Sequence, residues 1–398
     1  MAELLIRAGA RDAALVQAVL GGPPHHRPHR VVVDAHVASA APSISVSAKE
    51  TGVPFLIDPQ TFYLQDVQHP ADPWAQLTFA DPQTSSPSDL CHPRRIDALV
   101  AGVVDYQLAC GATAIVMPYV HVEAVDDGWG EVQAALWRAT RRYVDRTGLA
   151  LPTVAVLALG WRLLDRSSWP DGLDPLGRAL DEAEPTEVAL AASRVDAGVR
   201  PEERLASLIA VTRRLSRRHP VLAWQQGTLG EAAVAAGARA YECGIGWRER
   251  CDLRGAMSAH RQRPSGGGAR PVYIAALKRG IPKASVRSLL EHPRIAPELV
   301  CLDVSCCPGG RRALLEDGRA HAIRARLRSL EAVAQADRPA WRWHLLAREA
   351  AAGLELAARI NVAASRTAEV ARVDDSALRA VSVVAEHRRQ VTRRRPAA

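Results

Sequence analysis

The sequence lacks the features of a membrane or secreted protein. No stretch approaches the roughly 20 uninterrupted apolar residues that a membrane span needs. The amino terminus, MAELLIRAGARDAA, has no basic segment followed by an apolar one, so no secretory signal is expected. Seven cysteines in 398 residues do not suggest a disulfide scaffold. These absences predict a cytoplasmic protein, not bound to a membrane, with reduced thiols.

Lysine is scarce too, and arginine supplies most of the positive charge. The chain has 51 lysines and arginines against 43 acidic residues, which gives a net charge of +8. Basic residues concentrate in VTRRLSRRHP, in AIRARLRSL and in the end of the chain, HRRQVTRRRPAA. Such a surplus is typical of nucleic-acid binding, with the Arg393–Arg395 tail and the Arg324/Arg326 helix as candidate surfaces. An arginine-rich composition without a polyanionic partner explains it equally well.

Eight short apolar runs indicate the fold. They are LLIRAG (4–9), RVVVDAH (30–36), PFLIDP (54–59), AIVMPYV (114–120), TVAVLALG (153–160), EVALAAS (187–193), PVLAWQQ (220–226) and ARAYECG (238–244). Most are separated by helix-like segments, and this alternation predicts a (β/α)₈ TIM barrel over residues 1–250. A doubly wound open sheet is the alternative, but no G-x-G-x-x-G follows the first run.

The remaining chain divides into two predicted parts. Residues 251–330 contain the flexible SGGGARP, one more strand-like run (PVYIAALKRG) and a cysteine cluster, and they are expected to pack on the barrel as an insertion. Residues 331–398 have a helical, Ala/Arg-rich pattern and end in the basic tail. Within the barrel, residues 59–95 form a long, proline-rich stretch after the third run. Loops of that length are typical of lids or binding loops.

Polar residues stand where the predicted strands end, and in a parallel barrel that edge carries the chemistry. They are Asp34 and His36, Asp58 and Gln60, Ser193 and Arg194, Gln225 and Gln226, and Glu242. Two carboxylates at one mouth, Asp58 and Glu242, can divide the roles of nucleophile and general acid/base, as in the cleavage of glycosidic bonds. Each residue can instead close its strand through an ordinary hydrogen bond.

The cysteine cluster predicts a metal site. Cys301, Cys306 and Cys307 lie in CLDVSCCPGG, and His321 follows fourteen residues after the last of them. Thiolates with one imidazole form closed, structural zinc sites of tetrahedral geometry. Asp303, inside the same loop, is a further candidate ligand. The alternative is a set of buried thiols with an unrelated histidine.

Four segments resemble tRNA-guanine transglycosylases and their DNA-acting relatives, and they occur in that family's order. PFLIDPQTFYLQ is similar to the family's strand ending in T-D-S-G-G-F-Q, and EVALAASRVDAGVRPEE stands where the family has G-G-L-A-V-G-E. VLAWQQGTLGEAAVAAGARAYECGIGWRER is similar to its penultimate strand, helix and F-D-C-V-x-P-T-R strand. CLDVSCC followed by histidine resembles its C-x-C-x-x-C and histidine zinc motif. The likeness covers roughly residues 50–330.

The resemblance implies roles for named residues. It places Asp58 on the family's general acid/base and Glu242 on its nucleophilic aspartate. The substrate-binding residues it implies, together with the strand ends, are Gln60, Phe62, Gly160, Trp161, Ser193, Arg194, Gln225, Gln226 and Arg248. Phe62, Trp161 or Trp247 would stack on a base that leaves its helix. The motifs depart from the family where Pro59-Gln60-Thr61 replace its double glycine and where glutamate replaces the nucleophilic aspartate.

The resemblance therefore implies a pentosyltransferase that exchanges or cleaves a purine or 7-deazaguanine base in DNA or tRNA through a covalent sugar–enzyme intermediate, with a structural zinc. The degraded motifs favour a DNA-acting or divergent member. Two other functions are kept open. One is a catalytically silent nucleic-acid-binding barrel. The other is a small-molecule barrel enzyme that uses carboxylate acid/base catalysis.

Overall fold

The computed structural model describes residues 2–81, 83–164, 173–246, 249–259 and 270–394. Its strands are β1 (Glu3–Ala8), β2 (Arg30–Asp34), β3 (Phe55–Asp58), β4 (Ile115–Val116), β5 (His121–Val122), β6 (Thr153–Leu159), β7 (Glu187–Ala192), β8 (Val221–Ala223), β9 (Ala240–Gly244), β10 (Val272–Ile274) and β11 (Arg279–Ile281). The first nine form one sheet in the order β3-β2-β1-β9-β8-β7-β6-β4, and β5 pairs with β6 beyond β4. All the pairings in this sheet are parallel.

The sheet is nearly closed into a barrel, because its two end strands meet. The backbone N–H of Thr113, just before β4, donates to the carbonyl oxygen of Phe55 in β3 at 2.9 Å. The N–H of Phe55 donates in turn to the Thr113 hydroxyl at 2.8 Å. β4 and β5 pair with opposite ends of β6 and share one position of the barrel. Pro118 separates them, since proline has no N–H to continue a ladder.

Helices alternate with the strands and cover the barrel. They are α1 (Ala13–Gly21), α2 (Ala35–Ala40), α3 (Ser43–Thr51), α4 (Pro87–Leu90), α5 (Pro93–Ala109), α6 (Trp129–Thr147), α7 (Trp161–Leu164), α8 (Asp174–Ala183), α9 (Pro201–Leu215), α10 (Gly230–Ala236), α11 (Leu253–Met257), α12 (Lys283–Leu290), α13 (Ala296–Leu299), α14 (Arg311–Glu316), α15 (Gly318–Gln335), α16 (Pro339–Ala364) and α17 (Ser376–Arg394). The position after β9 is covered by α15, which packs against β1, α1 and α10.

Period-two alternation of the strands fills the barrel interior in layers. On β1, Leu4 and Ile6 pack outward under the helices, whereas Leu5 points into an interior apolar cluster that also holds Val32 and Leu222. At the amino end of the barrel, Arg30 pairs with glutamates of β1 and β7. At the carboxyl end the interior is again ionic. An apolar middle layer therefore separates two charged layers.

The carboxyl-terminal part forms a helical extension with its own apolar core. α16 and α17 pack on each other, and side chains from the antiparallel β10–β11 hairpin and from α12 join the same core. α17 also contacts α9, and α16 contacts α10, which joins the extension to the barrel. Within the described ranges, no helix combines the length and the apolar character that a bilayer crossing requires.

The predicted (β/α)₈ barrel and its helical extension are confirmed, since each of the eight apolar runs supplies a strand. The open-sheet alternative is wrong because the end strands meet. The ninth run, PVYIAALKRG, forms most of the β10–β11 hairpin rather than a single strand. The short strand β5, which follows Pro118, was not predicted.

Candidate functional site

Four charged side chains meet at the carboxyl end of the barrel. Arg7, Asp34, Asp58 and Glu242, here called the mouth cluster, come from the adjacent strands β1, β2, β3 and β9, and none is more than 4% exposed. Arg7 donates through Nε to Glu242 and through Nη1 to Asp34. Its Nη2 donates to Asp58 at 2.7 Å and to Oε2 of Glu242 at 3.2 Å. One buried guanidinium therefore joins the two predicted catalytic carboxylates to a third.

Asp58 is fully occupied as an acceptor. Besides Arg7, its donors are the Tyr119 hydroxyl at 2.9 Å, the backbone N–H of Gln60 at 3.0 Å and the Trp224 indole N–H at 3.3 Å. A carboxylate offers about four acceptor positions, so these four donors fill them. Burial and the neighbouring carboxylate raise the pKa of Tyr119 well above its usual value, which keeps its hydroxyl protonated as a donor.

Glu242 has fewer partners. Among the described residues, Arg7 supplies the hydrogen bonds that its carboxylate accepts. Burial raises the pKa of Glu242, and Arg7 opposes this rise only in part. Burial also opposes the charge of Arg7, but the three carboxylates outweigh it and raise the pKa of Arg7 well above its usual value. Glu242 therefore keeps open acceptor positions and takes up a proton more readily than an exposed glutamate does.

A cleft of about 400 Å³ opens beside the mouth cluster. Arg7 and Asp34 line it, together with His36 from the first turn of α2. The predicted catalytic pair, Asp58 and Glu242, lies beneath this lining. The volume falls within the roughly 300–1,000 Å³ of small-molecule sites. Arg7 therefore separates the open cleft from the carboxylates that the sequence singled out.

Three non-glycine residues with positive φ follow strand ends at the same mouth. Gln60, Arg194 and Gln225 have φ values of 51°, 57° and 56°. Each comes two residues after the last residue of its strand, β3, β7 or β8. The left-handed conformation costs a non-glycine residue on the order of 1–3 kcal/mol. All three are among the predicted substrate-binding residues, and this recurrence favours a functional role for the barrel mouth.

A second buried polar pair, which was not predicted, lies on and just after β5. Nε2 of His121 is 3.8 Å from Oε2 of Glu123. Nε2 of His121 and Oε1 of Glu123 have no hydrogen-bond partner within the part of the chain that the structure describes. Burial lowers the pKa of His121 to about 4, so its imidazole is neutral at pH 7. A Cβ at Gly160 would lie 2.3 Å from Oε2 of Glu123, so this predicted site residue provides the space for Glu123.

Two predicted aromatic residues differ in access. Phe62 is fully buried, and its ring centroid lies 5.6 Å from that of Tyr119, so it is closed to stacking by a base in this conformation. Trp161 is half-buried at the start of α7. The guanidinium of Arg204 lies 4.3 Å from the centroid of its ring. Trp161 is therefore the predicted aromatic residue that remains reachable at the mouth.

The remaining predicted residues hold loops or fall outside the described residues. The Ser193 hydroxyl accepts a hydrogen bond from the N–H of Leu253 at 3.1 Å. The Gln226 amide donates to the carbonyl oxygen of Ala192 at 2.8 Å and ties the end of β8 to β7. Trp247 and Arg248, predicted for stacking and for substrate binding, lie outside the described residues.

The predicted cysteine cluster is confirmed as a group that can hold a metal ion. The ligand atoms of Cys301, Cys306, Cys307 and His321 all lie within 4.8 Å of one another. Nδ1 of His321 is 3.3 Å from the sulfur atoms of Cys306 and Cys307, and these sulfurs are 3.9 Å apart. Three thiols and an imidazole at these separations fit tetrahedral coordination with metal–sulfur bonds of about 2.3 Å.

Asp303 does not belong to this ligand group. Its carboxylate pairs with Arg328 and accepts hydrogen bonds from the hydroxyl and the N–H of Ser305, at 2.6 and 2.8 Å. It shapes the turn that carries the cysteines. Arg328 also places a guanidinium nitrogen 3.6 Å from the sulfur of Cys301, where it would offset the charge of a bound thiolate.

The prediction that Arg326 belongs to a basic surface is wrong. Its side chain is 1% exposed and pairs with Glu249, and its guanidinium lies 3.8 Å from the ring centroid of Tyr273. Arg324 is half-buried and donates to the carbonyl oxygen of Cys306 at 2.9 Å. The side chains of Arg393–Arg395 are not among the described ones. Arg326 is therefore part of the buried interior and cannot contribute to a nucleic-acid-binding surface on α15.

The comparisons with known proteins leave the family open. No protein-family model matches the chain, and no curated protein matches it either. Among solved structures, one similar chain is a candidate phosphonomutase from Burkholderia cenocepacia J2315. The two chains share 15% identity with a TM-score of 0.33, over 61% of this chain and 86% of the other. A likeness of that size carries no argument, so the barrel assignment rests on the strand order itself.

Proposed function

We propose that this chain is a barrel enzyme that breaks the bond between a sugar and a purine-like base in a nucleic acid, as its resemblance to tRNA-guanine transglycosylases implies. The observation that carries the proposal is that one buried guanidinium, that of Arg7, joins Glu242, Asp34 and Asp58 at the carboxyl end of the barrel. The candidate nucleophile Glu242 and the cleft-lining Asp34 are therefore both bonded to the same side chain. Two carboxyl groups at one mouth are what cleavage of a glycosidic bond through a covalent sugar–enzyme intermediate requires.

The hydrogen bonds support Glu242 as the nucleophile. Its carboxylate keeps acceptor positions open, whereas those of Asp58 are filled by four donors. The resemblance assigned proton transfer to Asp58, but that role would require Asp58 to release a donor. Asp34 lines the cleft and is better situated to exchange a proton with a ligand. Asp58 then acts as the anchor that positions Arg7.

In the proposed reaction, Asp34 begins protonated and Glu242 begins ionised, and the Glu242 carboxylate attacks C1′ of the sugar. A bond forms between C1′ and the carboxylate oxygen, the bond from C1′ to the base nitrogen breaks, and the base leaves with a proton from Asp34. The incoming base then gives its N–H proton to Asp34 and attacks C1′ through that nitrogen, which releases Glu242. With water in place of the base, the same two steps give cleavage. Atoms and protons balance over the cycle.

Substrate entry requires Arg7 to move, because Arg7 lines the cleft and covers Glu242. Conformational steps of this kind gate many active sites.

We further propose that the metal of the Cys301, Cys306, Cys307 and His321 group is a structural zinc ion. All four ligand positions come from protein side chains, which is the pattern of closed sites, and the group lies outside the barrel mouth on the segment that leads into α15. When bound, zinc would hold this segment together and take no part in the reaction.

The experiment that tests the enzyme proposal is incorporation of radiolabelled guanine or 7-deazaguanine into DNA or tRNA. We expect incorporation by the native protein, its loss in Glu242→Gln and a fall of about 100-fold or more in Asp34→Asn. Glu187→Gln is the matched control, since it removes a buried carboxylate that pairs with arginine at the other end of the barrel. Full incorporation by Glu242→Gln would show that Glu242 is not the nucleophile. Absence of incorporation into either nucleic acid would favour the silent binding barrel.

A small-molecule barrel enzyme is the second candidate, because the cleft reaches Arg7 and Asp34 but not Asp58 or Glu242. In that case the chemistry lies with Asp34 and the substrate never contacts nucleic-acid phosphates. This candidate predicts turnover of a small molecule that is abolished in Asp34→Asn and retained in Glu242→Gln. The turnover rate should not change with salt concentration.

A further inference from the structure

The side of the mouth away from the mouth cluster carries three exposed arginines. Arg162 follows β6, Arg194 follows β7, and Arg254 lies on α11. We call them the cationic rim. Within the described contacts, neither Arg194 nor Arg254 forms a side-chain ion pair, and the nearest carboxylate oxygen to Arg162 is that of Glu123 at 3.7 Å. The rim is therefore a set of guanidiniums without strong protein partners.

Two hydrogen bonds hold the rim segments against one another. The N–H of Arg194 donates to the carbonyl oxygen of Cys251 at 2.8 Å, and the N–H of Leu253 donates to the Ser193 hydroxyl at 3.1 Å. These two bonds fix the start of α11 beside the end of β7, so Arg194 and Arg254 are neighbours. Arg194 adopts its strained positive φ of 57° at this junction.

Glu123 brings the third arginine to the same place. Its carboxylate occupies the space left by Gly160, two residues before Arg162 of α7, and lies 3.7 Å from the Arg162 guanidinium. Burial raises the pKa of Glu123, and Arg254, Arg162 and Arg194 all counter this rise through their charge.

The charge balance of this region is positive. To the three arginines is added Arg204, whose guanidinium lies over the Trp161 ring, and against these four stand Glu123, Asp127 and Asp252. Asp127 accepts from the backbone N–H groups of Ala124 and Trp129 at 3.0 Å, and Asp252 accepts from that of Gly255 at 2.9 Å. The mouth cluster on the opposite strands has three carboxylates and one guanidinium. The barrel mouth is therefore polarised, positive on the side of β6 and β7 and negative on the side of β1, β2, β3 and β9.

We propose that the cationic rim binds a phosphate group of the substrate. Guanidiniums match phosphate oxygens in charge and in the geometry of their paired N–H donors, and the half-buried Trp161 adjoins them. The consequence for the reaction rests on the proposed function, in which a phosphorylated sugar held at the rim would direct its glycosidic bond across the mouth toward Arg7 and Asp34. The phosphate belongs either to a nucleic-acid backbone or to a small phosphorylated sugar.

Binding measurements test the rim without any need for turnover. The full-length native protein, Arg194→Gln and Arg254→Gln are titrated with ribose 5-phosphate and with a 12-nucleotide single-stranded DNA at two salt concentrations. Each variant should bind at least fivefold more weakly, and for the DNA the salt slope should fall by about 0.7 per arginine removed. The matched control is Arg142→Gln, an exposed arginine on the outer helix α6, which should bind as the native protein does.

The two probes separate the sources of the phosphate. Weaker binding of both probes assigns the rim to a phosphorylated sugar, and weaker binding of the DNA alone assigns it to a nucleic-acid backbone. Unchanged affinity of both rim variants for both probes, in proteins that melt like the native one, overturns the inference. These titrations need no turnover and leave Glu242 in place. A rim that binds the probes in a protein that exchanges no base would keep this inference and overturn the proposed function.

Discussion

Nη2 of Arg7 contacts Asp58 and Glu242 at once, at 2.7 and 3.2 Å, and so ties β3 to β9 across β1 and β2. The desolvation of a buried ion is expensive unless partners compensate for it. Here one cation is the shared partner of carboxylates that have little contact with water. Stability and the proposed chemistry of the barrel both depend on this residue.

Replacing Arg7 with methionine should therefore destabilise the protein strongly. The change leaves three buried carboxylates without their cation, and removing one member of a buried ion pair costs about 3–5 kcal/mol. Urea unfolding at pH 7 measures the loss. The double variant Arg7→Met/Glu242→Gln should recover part of it, because it carries one buried charge fewer. If Arg7→Met unfolds at the same urea concentration as the native protein, the mouth cluster does not contribute to stability.

His121 should make the protein sensitive to acid. Burial lowers its pKa to about 4 in the folded state, against about 6.5 when unfolded, so the unfolded chain binds the proton more tightly between these values. Its contribution to the free energy of unfolding is complete above pH 6.5 and is lost as the pH falls toward 4, by roughly 3 kcal/mol. Urea unfolding of the native protein and of His121→Asn between pH 4 and pH 7.5 measures this. Equal slopes for the two proteins would contradict the assignment.

Gly160→Ala should destabilise the barrel mouth. The added Cβ would meet Oε2 of Glu123 at 2.3 Å and its Cα at 3.1 Å, and forced overpacking typically costs about 1–3 kcal/mol. Gly130→Ala on α6 is the control, because a methyl group added there would meet no atom within 4 Å and alanine favours a helix. The second substitution Glu123→Ala in the Gly160→Ala protein should restore most of the lost stability. A stable Gly160→Ala protein would show that the carboxylate does not occupy this space.

Removal of the metal should loosen the segment that leads into α15 without a direct effect on the mouth. Elemental analysis is expected to find one zinc per chain, and a strong chelator or Cys306→Ser should lower the melting temperature. Cys110→Ser, a half-buried cysteine on the outside of the barrel, is the control. Purified protein without bound metal, or an unchanged melting temperature in Cys306→Ser, would rule out a structural metal.

The sequence was sufficient for the barrel and for part of the site. Its apolar runs marked the eight barrel positions, and the carboxyl-end rule placed Asp58 and Glu242 at one mouth. Arg7 was missed because both faces of β1 are buried. The sequence of β1 therefore does not alternate between apolar and polar residues, and it gives no indication of the direction in which the Arg7 side chain points. The lone arginine within LLIRAG was the available signal. The strained φ of Arg194 and the packing of α15 as the last barrel helix depend on contacts distant in sequence.

The most direct test of the central claim is a covalent complex between protein and nucleic acid that survives denaturation. The native protein is incubated with DNA or tRNA and an excess of purine base, quenched in denaturant and resolved on a denaturing gel. We expect a complex of reduced mobility for the native protein and for Glu187→Gln, and none for Glu242→Gln. A complex that persists in Glu242→Gln, or its absence from the native protein with both nucleic acids, would contradict the role of Glu242 as the nucleophile.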